Sequence, residues 1–116
     1  MTINGVELNN IDFTDANLIE RIDEANKEVQ NKIEELEKNI KNISPAEGIR
    51  QECEILKKFL DYVFGEGTSE KAFKNTNSLK DCLQTFEDII NERNKQFDNL
   101  QSVIDKYSPD RLKRWI

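Results

Sequence analysis

Apolar residues recur along most of this chain at steps of three and four, the spacing of one helix face. Leu18, Ile22, Ala25, Val29, Ile33, Leu36, Ile40 and Ile43 form one such series, with Glu, Lys, Asn and Gln filling the faces between them. The steps trace a heptad seam with one extra residue after Val29. They predict a first helix over 14–42, about 44 Å long at ~1.5 Å per residue. It should start near Asp12 to Thr14, where either residue can cap, and Asp12 has Asp15 three positions on. A seam this long exceeds what one short neighbouring helix covers.

Ser44-Pro45-Ala46-Glu47 is a capping box with proline at the first helical position. It predicts a second helix over 45–64, striped by Ile49, Cys53, Leu56, Leu60 and Val63 and widened by Ile55, Phe59 and Phe64. The stretch Phe64-Gly65-Glu66-Gly67-Thr68 then breaks the pattern. Gly65 reads as the helix stop and Gly67 as a corner, since glycine takes positive φ at little cost. Phe64, Gly65, Gly67 and Thr68 are thus a structural corner, with Thr68 or Ser69 capping a short helix over 68–73. A last long helix over 78–107 starts at Ser78, with Asp81 as its box partner. It carries two stripes. One runs through Leu79, Cys82, Phe86, Ile89, Arg93, Gln96, Leu100 and Val103, and the other through Leu83, Ile90, Phe97, Ile104 and Tyr107. A double stripe predicts a helix packed between neighbours. Pro109 ends it.

Before the helices, Asn4-Gly5 between Ile3 and Val6 signals a hairpin over 1–8. So short a hairpin needs support from the helices or from another subunit. The expected fold class is all-α, a long-helix antiparallel bundle with a short N-terminal β-hairpin. A helical domain over 1–107 is followed by a basic tail over 108–116.

Composition narrows the function classes. The chain has 116 residues, 36% apolar and 34% charged, which suits one domain of long helices with solvated faces. The formal charge of −6 is uneven. Lys106, Arg111, Lys113 and Arg114 against Asp110 give the last eleven residues +3, leaving −9 on the first 105. An acidic body argues against a nucleic-acid partner. No apolar run approaches the ~20 residues of a membrane span, and no signal peptide is expected at Met1, so the expected location is the cytoplasm. Histidine is absent and there are two cysteines, Cys53 and Cys82. These residues predict no metal site, no cofactor and no nucleophile–base pair. Both cysteines fall on apolar stripes and should be buried free thiols, with Leu56, Leu60, Leu83 and Phe86 nearby. Gly65 to Lys71 superficially resembles a phosphate loop, but no glycine precedes Lys71 and a helix precedes the loop where a strand is required. No enzyme is expected.

Three segments resemble a family of small proteins from phages and prophages of Gram-positive bacteria. They are Ile3 to Leu8; Phe59 to Thr68 with Lys71-Ala72-Phe73; and Tyr107-Ser108-Pro109-Asp110-Arg111. Asn77-Ser78-Leu79, Cys82-Leu83 and Phe86-Glu87-Asp88 fit the same pattern. The chain departs from it at Lys74-Asn75-Thr76, where that family more often carries a glycine pair. The family in turn resembles the tail assembly chaperones of long-tailed phages. The resemblance implies a non-catalytic helical protein that coats the tape-measure protein while the tail tube grows and then leaves. The alternative is a structural oligomer retained in the phage particle.

The long first seam, the double stripe and the tail's tryptophan also predict self-association. The candidate interface is Leu18, Ile22, Val29, Leu36, Phe97, Tyr107, Trp115 and Ile116.

Overall fold

A computed structural model describes residues 1–107 together with 114 and 115. Two short strands, β1 (Thr2–Ile3) and β2 (Val6–Glu7), pair antiparallel. Helices α1 (Ala16–Asn39), α2 (Pro45–Phe64), α3 (Thr68–Phe73) and α4 (Leu79–Tyr107) follow, with a 3₁₀ turn over Ile40–Asn42 between α1 and α2. The fold is mostly α with an N-terminal hairpin. Residues 108–113 and 116, most of the predicted tail, lie outside the described residues.

The hairpin turns at Asn4 (φ 49°) and Gly5 (φ 81°), the pair of positive φ values that matches strand twist. Its support comes from within the chain. Ile3 is buried. The Asn4 backbone N–H donates to Asp88 Oδ2 at 3.0 Å, and its side-chain amide donates to Thr85 Oγ1 at 2.9 Å. The hairpin is thereby pinned to the first half of α4.

Helix α1 starts later than expected. Asp15 is its N-cap residue and makes no side-chain capping bond, so neither Asp12 nor Thr14 caps it. Asp12 Oδ1 instead accepts from Thr14 N at 2.9 Å and from the Thr14 hydroxyl at 2.6 Å, closing a tight turn. Those two bonds hold the Asp12 carboxyl below its usual pKa. The turn drives Phe13 inward, where it is 2% exposed, and Phe13 N donates to Gln96 Oε1 at 2.7 Å. At its other end α1 tightens into the 3₁₀ turn rather than continuing to residue 42.

The remaining boundaries follow the capping signals. Ser44 Oγ accepts from Glu47 N at 3.1 Å, with Pro45 in the first turn of α2. Ser78 Oγ accepts from Asp81 N at 3.4 Å at the start of α4. The corner is built as expected in outline. Gly65 has φ 115° and ψ 149°, outside the left-handed helical well and in a region open essentially to glycine. Gly67 has φ 91° and is itself the N-cap residue of α3, so Thr68 and Ser69 lie inside that helix and do not cap it. The capping acceptor comes from α2: Asp61 Oδ1 accepts from Ser69 N at 2.8 Å, and Asp61 Oδ2 accepts from Ser69 Oγ at 2.9 Å.

Helices α1 and α2 pack as an antiparallel hairpin, and α4 runs antiparallel to α1. Phe97 of α4 packs against the cluster of Phe13, Leu18, Ala25 and Val63, while Leu83 and Phe86 face Val29 and Ile33 of α1 across a groove. A second cluster holds Ile3, Cys53, Leu56, Leu60, Phe73 and Cys82.

Here the double stripe of α4 departs from expectation. Cys82 and Ile104 are buried, but Leu79, Leu83, Phe86 and Ile90 are 43–63% exposed. Leu83 and Phe86 therefore lie outside the core around the cysteines. The inward face takes Thr85, with no exposed surface, and half-buried Gln96. Both are satisfied there: Thr85 Oγ1 accepts from Asn4 and donates to the Asp81 carbonyl, and Gln96 bonds both the Phe13 N–H and the Ile11 carbonyl. The polar anchoring of the hairpin and of the entry to α1 turns α4 so that part of its apolar stripe faces outward.

Candidate binding groove

Helix periodicity places Ala25, Val29 and Lys32 on one edge of α1 and Ile55, Phe59 and Tyr62 on the facing edge of α2. The antiparallel hairpin closes over buried Ala25 and opens on either side of Val29. One opening is a hollow of about 310 Å³ between α1 and α2, lined by Val29, Ile55, Phe59, Lys58, Glu28 and Tyr62. The Tyr62 hydroxyl donates to Glu24 across its mouth. That bond to a carboxylate raises the Tyr62 pKa, because ionisation would set two negative charges together. The hollow's base is apolar and its rim charged, with Glu24, Glu28 and Lys32 along the α1 edge and Lys58 on α2.

The second opening is a groove of about 230 Å³ floored by α2, with α1 and α4 as its walls. Val29 and Ile33 line one wall and Leu79, Leu83 and Phe86 the other, above Ile55 and Phe59. Val29, Ile55 and Phe59 border both openings, so one apolar surface crosses the α1–α2 pair.

Beneath the groove lie the two thiols. Cys53 and Cys82 are free and buried, with the sulfurs 3.0 Å apart. Burial pushes the Cys82 thiol up to about 12, reinforced by its hydrogen bond to Cys53 and by nearby negative charge. A thiol held protonated in this way is a packing group and a poor nucleophile. Among the described residues no three His, Cys, Asp or Glu side chains gather to hold a metal ion. Among the same residues no helix is long and apolar enough to cross a membrane.

The structure separates the residues predicted for an interface. Leu18 and Leu36 are buried, so they are unavailable as contact surface. Ile22, Val29 and Phe97 are half-buried; Val29 alone of these lines the groove, and the Arg93 guanidinium lies 4.7 Å from the centre of the Phe97 ring. Trp115 is 75% exposed. The Tyr107 side chain and Ile116 lie outside the described residues. At the corner, Phe64 is half-buried with its ring edge-on to Phe13 at 6.2 Å, and buried Thr68 donates from Oγ1 to the Gly65 carbonyl at 2.7 Å. Sequence reasoning missed Leu79, Leu83, Phe86 and Ile90 as surface residues. It assigned them to stripes that neighbours would cover.

The protein is an elongated, mostly helical domain that carries an apolar groove and a hollow beside it. Over residues 4–115 the chain matches a family of unknown function, DUF6673, and it belongs to that family. No curated protein and no solved structure matches it.

Proposed function

We propose that this protein is a non-catalytic helix-binding module of the tail assembly chaperone type, which holds apolar helical segments of a phage tape-measure protein in the host cytoplasm. The observation that carries the reading is the hollow between α1 and α2. Its volume of about 310 Å³ is at the small end for binding cavities, matching a pair of side chains projecting from one face of a helix. The apolar base supplies burial, and the mixed-charge rim keeps the empty hollow soluble. A carrier that later releases its client requires this shallow, half-open contact rather than a deep one.

The test is titration of the full chain with synthetic helical peptides tiled across a tape-measure protein from the same phage, followed by fluorescence anisotropy. The expected result is binding of selected amphipathic segments with a Kd on the order of micromolar. Tyr62, half-exposed on the wall of the hollow, is the variant site; Tyr62→Ala should weaken that binding about tenfold while helicity is unchanged. Failure of every segment to bind would overturn the reading. Recovery of the protein from purified virions would favour the retained structural component instead.

A further inference from the structure

Helix α4 is turned partly inside out. Thr85 and Gln96 face inward, while Leu83 is 63% exposed, Ile90 53%, Phe86 47% and Leu79 43%. These four sit at i, i+4, i+7 and i+11, a continuous ridge about 16 Å long at ~1.5 Å per residue. We propose that this ridge is a homodimer interface, in which α4 of a second copy lies antiparallel on it across a two-fold axis between Leu83 and Phe86.

Three features select a second copy as the occupant. The first is shape. The ridge flanks the groove walled by Val29 and Ile33 of α1, so each copy offers a ridge beside a groove, as a self-complementary two-fold contact requires. The second is area. A stable interface covers roughly 800 Å² per partner, more than four half-exposed side chains provide. The partner's α4 must therefore also cover the groove, which the same two-fold arrangement achieves.

The third is charge. With the axis between Leu83 and Phe86, Leu83 meets the partner's Phe86 and Leu79 meets the partner's Ile90. The outer edge of the ridge carries Lys80 and Glu87, one heptad apart, with the uncharged Gln84, Asn91 and Asn94 beside them. Antiparallel alignment lays Lys80 on the partner's Glu87, and Glu87 on the partner's Lys80. A parallel pair gains nothing from this edge, because the other edge of the ridge, at Cys82 and Ile89, faces the protein's own core. This interface adjoins the α1–α2 hollow at Val29, Ile55 and Phe59, but it does not rest on that hollow binding a client.

The experiment is sedimentation equilibrium of the full chain and of charge variants, with circular dichroism checking the fold. The wild type should sediment as a dimer of the 13.6 kDa chain at micromolar concentration. Lys80→Glu sets a carboxylate against the partner's Glu87 at both ends of the contact, and Glu87→Lys sets two lysine pairs together. Each should weaken the dimer about tenfold or more. An equimolar mixture of the two variants should restore a heterodimer with both pairs favourable, as should the double swap within one chain. Leu83→Ser should abolish the dimer. A monomeric wild type would overturn the proposal, and so would a dimer indifferent to Leu83→Ser. A mixture that fails to re-form dimers would overturn the antiparallel register. Loss of peptide binding by Tyr62→Ala leaves every one of these outcomes in place.

Discussion

The corner between α2 and α3 hangs on one side chain, and its removal makes a quantitative test. Asp61 accepts two hydrogen bonds from Ser69, one from the backbone N–H at 2.8 Å and one from the hydroxyl at 2.9 Å. Ser69 is 8% exposed, so water has little access to replace the lost partner. Helix α3 spans six residues, too few to persist without outside support. Bonds to a charged acceptor contribute roughly 1.5–3 kcal/mol each, and a stranded buried N–H costs about 1–3 kcal/mol. These costs overlap for the backbone N–H, so Asp61→Ala should destabilise the fold by about 2–4 kcal/mol. Asp61→Asn keeps one acceptor and should cost about 1 kcal/mol, as should Ser69→Ala. The double variant Asp61→Ala with Ser69→Ala should then show a coupling of about 1 kcal/mol, because the two residues share the hydroxyl bond. Urea unfolding followed by circular dichroism measures all four, provided the slope with denaturant stays constant. A loss below ~0.5 kcal/mol for Asp61→Ala would refute the claim that this carboxylate holds the corner.

Two further outcomes are expected. Lys74 has φ 48° and ψ 45° at the end of α3, so Lys74→Gly should relieve ~1 kcal/mol or more of left-handed strain, offset by glycine's extra freedom when unfolded. The net gain should be about 0.5 kcal/mol in urea unfolding, smaller for Asn75→Gly because asparagine tolerates its φ of 65°, and a loss of stability would contradict the argument. The Cys82 thiol, raised from 9.0 to about 12, binds its proton more tightly when folded, so its contribution is full below the unfolded value and declines as pH rises toward the folded one. Stability should therefore fall with alkaline pH above about 9, and Cys82→Ala should flatten that part of the profile relative to the parent.

Much of the fold was legible because its signals are local. Ser44-Pro45, Ser78 with Asp81, Asn4-Gly5 and Gly65 each act through their own backbone within a few residues, and all four operate as expected. Long-range acceptors were not legible. Nothing at Ser69 tells that its cap is Asp61 on the preceding helix, and nothing at Phe13 tells that its N–H is received by Gln96. The start of α1 was misplaced for that reason: Asp12 has the chemistry of a cap, yet its oxygen serves Thr14 in a turn. The left-handed backbone at Lys74 was not legible either, since lysine has no preference for positive φ and only its neighbour Asn75 is of a type that tolerates it.

The candidate surface was hidden by a deeper limit. Periodicity reveals which residues share a helix face, but whether anything covers that face depends on which other groups claim the opposite one. In α4 the claim is made by polar partners. Asn4 needs acceptors that Thr85 Oγ1 and the Asp81 carbonyl provide, and the Phe13 N–H and Ile11 carbonyl need both ends of the Gln96 amide. Turning those groups outward would leave the hairpin and the entry to α1 unsatisfied, at a cost of roughly 1–3 kcal/mol for each buried group. Turning Leu83, Phe86 and Ile90 inward would recover at most a fraction of ~1.5–3 kcal/mol for each, since all three are already partly covered. The polar demands win because several must be met by the same few residues of α4. The helix settles with an apolar ridge toward solvent, and what local packing leaves unmet is available to an intermolecular contact.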